Sequence, residues 1–347
     1  MRVVVAFGPT RVWALANRTS YAAGRNWTRD REGLHWWLVA VRATFTVAAS
    51  GRLALADEQR PPVLIPEHHG EPGASSLRYD SDLLARKPGT DVLVLASAYA
   101  PNGQAAATVP VMLRVGKLEK TLLVHGERAY CQGLVGLATT APRPFIVCPI
   151  QYELAFGGSD RSDPDPARHR IDERNPVGRG FAARRAKLVN APAHAIEYPG
   201  GDPATRGPAG FGPIEPGWLP RRTLAGTYDA RWLKTRKPLL PEDYDPAFAH
   251  SAPSDQRGHT PLRGGEQVGL FNMSPAGAFV FELPRIDLRL VSRFGRRTRP
   301  HDPPLLTTVL VEPDAFRLSM TWQSALRVAA PDADYLDVTD IVETGRA

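Results

Sequence analysis

Few residues of this chain stand in a pattern that is known to carry out chemistry. The nucleophile elbow GxSxG, the phosphate loop GxxxxGK[ST], the metal-binding helix HExxH and the dinucleotide loop GxGxxG do not occur in the sequence. The segment Gly207–Gly212 (GPAGFG) has glycines at loose spacing, but it contains a proline and follows no strand-like run. We therefore predict no catalytic residue, no cofactor and no enzymatic activity.

Two clusters contain residue types that bind metal ions. His68 and His69 precede Glu71, but adjacent residues of a strand point to opposite faces and rarely share one ion. The acidic run that begins at Asp160 (DRSDPD) resembles half a calcium loop, yet it lacks the glycine at its sixth position and the glutamate at its twelfth. We predict a surface loop and a solvated acidic turn at these places, and no metal site.

Carboxylates and thiols give no stronger signal. Glu153, Asp172 and Glu173 are candidates for acid–base work, but the sequence alone cannot bring two carboxylates within catalytic reach. Cys131 and Cys148 match neither a metal spacing nor a redox CxxC motif. We expect two reduced thiols in a reducing compartment.

The elements that must position these residues are mainly strands. The first half of the chain has the alternation and the β-branched and aromatic content that are typical of strands. His35–Val47 and Arg52–Ala56 predict a hairpin. Asp91–Tyr99 and Val109–Val115 predict a second strand pair, and Lys120–His125 predicts a further strand.

The last part of the chain returns to short, closely spaced strand patterns. Pro313 suits the second position of a type I turn, which predicts a final hairpin around it. The predicted strands are Gln267–Asn272, Ala278–Leu283, Ile286–Val291, Leu305–Val311 and Phe316–Trp322.

The middle of the chain, residues 151–266, is rich in proline, glycine and aspartate. Aromatic residues are spread through it and require burial, so we predict an ordered loop layer rather than disorder. Tyr228–Arg236 (YDARWLKTR) predicts one short helix within it. We expect a single domain over residues 1–347, with strand-rich parts at 1–150 and 267–347. Its fold class is mainly β, with an antiparallel sandwich-like or barrel-like core and few short helices.

Composition and charge restrict the function further. Hydrophobic residues make up 43% of the 347 residues, which is enough for a sizeable core. The formal charge is +7, but the basic residues are scattered among 36 acidic ones, whereas nucleic-acid binders cluster them on one face. No run of about 18 apolar residues predicts a membrane span, and Met1–Phe7 is too short for a signal sequence. We expect a cytoplasmic protein that binds no nucleic acid.

Nine short strings are too particular to be generic loops, and they occur in a fixed order. They are Gly70–Tyr79 (GEPGASSLRY), Lys87–Val94 (KPGTDVLV), Tyr152–Gly158 (YELAFGG), Asn175–Phe181 (NPVGRGF), Ile196–Pro199 (IEYP), Pro208–Pro213 (PAGFGP), Leu224–Asp229 (LAGTYD), Pro238–Asp245 (PLLPEDYD) and Leu262–Glu266 (LRGGE). This set resembles the bacterial family called domain of unknown function 2169, over residues 17–325.

The resemblance implies a function. Proteins of that family are associated with type VI secretion and look like adaptors or chaperones. The chain is then expected to bind a secreted effector toxin and to help load it onto the valine–glycine-repeat spike protein (VgrG) and its PAAR tip, without enzymatic activity. Two alternatives stay open: a carbohydrate-active or other hydrolytic enzyme on a β scaffold, and a basic nucleic-acid-binding protein.

The motif residues also have a physical interpretation of their own. Gly178 and Gly180 permit tight turns around Arg179, whose planar guanidinium can clamp carboxylates of neighbouring loops. We predict a network that ties the loop layer together through Glu153, Asn175, Asp229, Asp255 and Glu266. The candidate contacts to a protein partner are Phe156, Arg179, Phe211, Trp218 and Arg263.

Overall fold

The protein is mainly β, as the sequence predicts. The computed structural model describes residues 12–134, 136–258 and 260–345. Met1–Phe7, the segment considered above as a signal sequence, lies outside them. Strands hold 40% of the residues and helical segments 13%. No helix in the described part of the chain is long and apolar enough to cross a membrane.

The strands are short and numerous. In the first half of the chain they are β1 (Ala14–Asn17), β2 (Ala22–Arg29), β3 (His35–Val47), β4 (Leu53–Leu55), β5 (Glu67–His68), β6 (Leu77–Tyr79), β7 (Asp91–Val94), β8 (Ser97–Tyr99), β9 (Thr108–Val115), β10 (Leu118–His125), β11 (Tyr130–Gly133), β12 (Gly136–Thr139) and β13 (Val147–Pro149). In the second half they are β14 (Phe156–Gly157), β15 (Ser159–Asp160), β16 (Arg170–Ile171), β17 (Arg179–Gly180), β18 (Ile196–Glu197), β19 (Gln267–Phe271), β20 (Ala278–Glu282), β21 (Leu288–Phe294), β22 (Arg297–Pro300), β23 (Leu305–Glu312), β24 (Arg317–Arg327) and β25 (Leu336–Glu343).

The helical segments are also short. The α-helices are α1 (Pro203–Arg206) and α2 (Ala230–Thr235), the latter inside the segment for which one short helix is predicted. The 3-10 turns are Pro101–Gly103, Tyr152–Leu154, Pro166–Arg168, Arg185–Leu188, Arg221–Ala225, Pro246–Ala249, Ser254–Gln256, Pro313–Ala315 and Ala330–Tyr335.

The largest sheet joins the two ends of the chain. Its strand order is β2-β3-β24-β23-β7, and β4 pairs with the end of β3. The long strands β3 and β24 run antiparallel, from Trp36 opposite Arg327 to Thr46 opposite Arg317. The predicted hairpins β3–β4 and β23–β24 are confirmed.

One predicted strand pair is wrong. The segment Asp91–Tyr99 does not pair with Val109–Val115. Its first part, β7, lies parallel to β23, and its second part, β8, pairs with β13. β9 instead pairs with β10 and β19. The turn at Pro101–Gly103 therefore connects two different sheets rather than two strands of one hairpin.

A second antiparallel sheet packs against the first. Its order is β18-β10-β9-β19-β20, and a third sheet has the order β1-β25-β21-β22. β9 alternates strictly: Val109, Val111, Leu113 and Val115 are buried, in one apolar cluster with side chains of all three sheets. These sheets are open in the described chain, with β18 and β20 at the edges of the second. The sandwich-like arrangement is therefore the one adopted, and no closed barrel forms.

The largest sheet is covered on both faces. Along β23, Val309 and Val311 belong to the main cluster, whereas Leu310 belongs to a second cluster with Tyr79 and Ala252. Because successive side chains point to opposite faces, this second cluster lies on the side away from the other sheets. Loops cover that side, which explains why β3 is buried almost throughout.

Candidate functional site

The loop-rich middle of the chain and the segment 128–139 before it border an open cavity of about 500 Å³. Its lining comes from segments that are far apart in sequence, which only the folded chain brings together. The lining residues are Arg128, Tyr130, Leu137, Ala138, Thr139, Phe156, Gly180, Phe181, Ala182, Leu188, His194, Glu197, Asp202, Pro203 and Ala204.

A polar cluster centred on Glu197 lies in the wall of this cavity. One oxygen of its carboxylate is 3.0 Å from Nε2 of His125. The other is 2.9 Å from Nη2 of Arg128 and 2.8 Å from Nε2 of His194. The second ring nitrogen of His194 is 2.8 Å from the hydroxyl of Tyr130. Acid–base relays use the same order of groups, which is tyrosine, histidine and carboxylate.

The electrostatics of this cluster differ from those of a general acid. Burial raises the pKa of Glu197, but the hydrogen bonds from His125 and His194 and the charge of Arg128 outweigh it and hold the pKa well below its usual range. A general acid of a glycosidase needs the opposite shift. The hydroxyl of Tyr130 also lies against Gly180, where a Cβ atom would come within 2.0 Å of it. The cluster therefore fixes the cavity wall.

The described part of the chain contains no group of three histidine, cysteine or acidic residues that could hold a metal ion. His68 and His69, the strongest metal signal in the sequence, turn to different partners. Nε2 of His68 is 3.1 Å from Glu215, and Nδ1 of His69 is 3.4 Å from the amide of Gln151. The two rings therefore serve separate loop contacts.

The aromatic residues proposed as partner contacts are core residues. Phe211 and Trp218 belong to the main apolar cluster, and the ring of Trp218 packs edge-on against Tyr152 at 5.7 Å. Phe156 is also buried and packs against the ring of His194, although one side of it lines the cavity. The prediction that Phe211 and Trp218 contact a partner is therefore wrong, because a buried ring offers no outer surface.

The two arginines of that set are exposed. Arg263 lies in an exposed turn, and its backbone N–H donates to Glu266 at 2.9 Å. Arg179 begins the two-residue strand β17, which pairs with β14, and its side chain points to solvent. It forms no ion pair with Glu153, Asp229 or the other described carboxylates proposed as its partners. The predicted Arg179 clamp is wrong, because strand pairing turns that side chain outward.

The other predicted network residues all hold backbone or side-chain groups. Glu153 accepts hydrogen bonds from the N–H and hydroxyl of Ser76, at 2.6 and 2.8 Å. The fully buried Asn175 donates to the carbonyls of Tyr152 and Phe156. Asp229 caps the N-terminus of α2 by accepting from the N–H of Trp232.

Lys120 holds the loop layer on the second sheet. It was not among the residues predicted from the sequence to form the loop network. Its ammonium is almost fully buried and donates to the carbonyl of Gly210, the carboxylate of Asp255 and the amide oxygen of Gln256, at 2.7–2.9 Å. Burial lowers the pKa of Lys120 to about 8, and the carboxylate of Asp255 opposes this shift. The ammonium is therefore still charged at neutral pH.

Arg221 is a second tie of this kind. Its buried guanidinium pairs with Asp80 at 2.8 Å and donates to the carbonyls of Phe248 and Ile214. Arg221 therefore has the clamping role that the sequence pattern predicted for Arg179. A basic residue inside a strand or a turn looks the same in sequence whether it is buried or exposed, so no sequence signal separates Arg221 from Arg179. Glu197, by contrast, lies in the quoted string Ile196–Pro199 and could have been found there.

The fold and the cavity together define the class: a mainly β protein whose ordered loop layer holds an open, mixed polar and apolar cavity. Residues 32–323 match the family described as "Uncharacterized protein conserved in bacteria (DUF2169)". The chain belongs to this bacterial family. No curated protein and no solved structure shows significant similarity to it.

Proposed function

We propose that this protein is a non-enzymatic cytoplasmic adaptor that binds a type VI secretion effector and helps to load it onto the VgrG spike and its PAAR tip. Membership of the family over residues 32–323 supports the family resemblance from which this function follows. The proposal also needs a firmly held surface that offers apolar contacts to another protein.

The observation that carries the proposal is such a surface at α2. Tyr228 and Leu233 expose 54% and 57% of their area, and the ring of Tyr228 packs on Trp232 at 4.8 Å. Leu233 lies in α2 and Tyr228 lies just before its N-cap, and hydrogen bonds hold this helix in place. Trp232 donates to the carbonyl of Leu239, and Arg236 donates to the carbonyl of Arg31 next to the largest sheet. Rigidly positioned loops are common sites of binding.

The two alternatives predict other measurements. A hydrolase that uses a carboxylic acid as its general acid would require a carboxyl group with a raised pKa in the cavity, whereas the three donors around Glu197 lower its pKa. A nucleic-acid binder would lose affinity steeply with salt. Hydrolysis of a panel of chromogenic glycosides, or salt-dependent binding of labelled DNA, would favour one of them.

The direct test follows the effector encoded beside the gene. Deletion of the gene should lower the cellular level of that effector, its co-purification with the spike and its secretion. The wild-type gene should restore all three, and a double variant Tyr228→Ser, Leu233→Ser should not. A matched control, Lys234→Ser, changes a neighbouring exposed residue of the same helix and should restore them. Normal effector stability, spike binding and secretion in the deletion strain would contradict the proposal.

A further inference from the structure

The cavity has an unpaired strand edge in its wall. Among the described strands, β12 pairs only with β11, and Leu137, Ala138 and Thr139 of β12 line the cavity. Next to this ladder, Thr140 donates its backbone N–H to the carbonyl of Ala129. Because backbone groups alternate in direction along an antiparallel pair, the N–H and C=O of Leu137 and Thr139 point away from β11.

Among the described residues, these outward groups have no hydrogen-bond partner, whereas groups on the other edge do. On the far side of β11, Tyr130 donates its N–H to the carbonyl of Ala191. For the N–H groups of Leu137 and Thr139, the described part of the chain supplies no acceptor. An edge of this kind is a template for another extended chain.

Arg128 supplies a charged donor at the same cavity. Its side chain is only 9% exposed. Nε donates to the carbonyl of His194 and Nη2 to Glu197, whereas Nη1 has no acceptor within the described chain. A guanidinium held at two of its nitrogens and open at the third suits a carboxylate ligand.

A large part of the remaining wall is apolar. Phe156, Phe181 and Leu188 line it together with Leu137, and Leu188 and Leu137 pack in one small cluster. A cavity of about 500 Å³ is large enough for one aliphatic or aromatic side chain and the atoms next to it. Backbone donors, the guanidinium of Arg128 and apolar side chains thus border a single space, which the carboxylates of Glu197 and Asp202 also line.

We propose that this cavity binds the C-terminal end of an extended polypeptide. The bound segment pairs with the outer edge of β12, its last side chain enters between Phe156 and Phe181, and its terminal carboxylate accepts a hydrogen bond from Nη1 of Arg128. That the ligand is a protein rests on the proposed function. The cavity indicates in addition which part of that protein is recognised, namely its C-terminal end. The α2 surface then supplies a separate contact.

The test uses purified full-length protein and a synthetic library of fluorescent hexapeptides with free C-termini. Peptides that end in an apolar residue should be selected. Amidation of the C-terminus should weaken binding at least tenfold, as expected for the loss of a charge-assisted hydrogen bond. N-methylation of the peptide at alternate backbone positions should weaken it at least threefold, because it removes donors to the strand edge. 3-Phenylpropanoate, which has the carboxylate and ring but no backbone, should compete only weakly.

Protein variants provide the reciprocal evidence. Arg128→Met should weaken binding at least tenfold and Arg128→Lys less, whereas the control Arg143→Met changes an exposed arginine and should bind normally. Thr139→Pro removes one outward N–H without breaking the ladder to β11, since Thr139 does not use that group there. If a variant fails to fold, the amidated and N-methylated peptides still decide the matter.

Two results would overturn the proposal. One is a library in which no peptide depends on its free carboxylate. The other is 3-phenylpropanoate binding as tightly as the peptides, which would make the cavity a small-carboxylate site. Failure of the adaptor role is distinguishable from both: the peptides would bind as expected while effector secretion did not require the protein.

Discussion

The free-energy cost of removing the buried ammonium of Lys120 can be worked out from its hydrogen bonds. Methionine at position 120 keeps most of the side-chain volume and removes all three hydrogen bonds. The carbonyl of Gly210 and the amide oxygen of Gln256 are then left without their donor in a buried place. Each unpaired buried acceptor costs about 1–3 kcal/mol.

Two effects reduce this sum. Asp255 is 39% exposed and can return to water, so its lost ion pair contributes little. Methionine also removes the cost of burying a charge, which is visible in the lowered pKa of Lys120. We therefore expect Lys120→Met to lower the free energy of unfolding by about 2–4 kcal/mol, the lower half of the range of about 2–6 kcal/mol for two orphaned acceptors.

Urea unfolding followed by tryptophan fluorescence measures this difference. Trp218 lies in the loop layer and reports on its release from the sheet. The matched control is Lys117→Met, in the exposed turn between β9 and β10, which should change the free energy of unfolding by less than about 0.5 kcal/mol. Equal midpoints for Lys120→Met and the control would refute the view that Lys120 holds the loop layer in place.

Three further outcomes are expected. Arg179→Ala should leave the unfolding midpoint unchanged because that side chain is exposed, whereas Asn175→Ala should lower the stability by about 2 kcal/mol or more, since two buried carbonyls lose their donor; similar midpoints would contradict this. Gly180→Ala should destabilise the cavity wall and lower the melting temperature, because a Cβ atom at φ +102° would meet the hydroxyl of Tyr130; an unchanged melting temperature would rule out that contact. Burial lowers the pKa of His301 to about 4, so the unfolded chain takes up this proton first as the pH falls. Stability should therefore decrease between about pH 6.5 and 4, by about 2 kcal/mol at pH 5, and urea titrations at several pH values should show a shallower decrease for His301→Gln.

The sequence by itself determined several of the strands and turns. The strict alternation from Val109 to Val115 needed no tertiary context, because every second residue of a half-buried strand faces the core. The helix near Asp229 was likewise readable, since an aspartate that precedes a helix-forming run caps its first turn. The hairpin around Pro313 depended only on local turn preferences.

Strand partners and the fate of charged side chains were decided by the tertiary structure. Alternation shows which residues share a face of a strand, but not which strand lies beside it. The pairing of β7 with β23, more than 200 positions away, therefore could not be predicted from the sequence. Lys120 is buried only because its acceptors come from residues 90 and 136 positions further along the chain. The cavity arises in the same way, since Arg128, Phe156 and Glu197 meet only when separate loops pack together. Burial of a charge depends on such distant acceptors, and the local sequence does not indicate where they are.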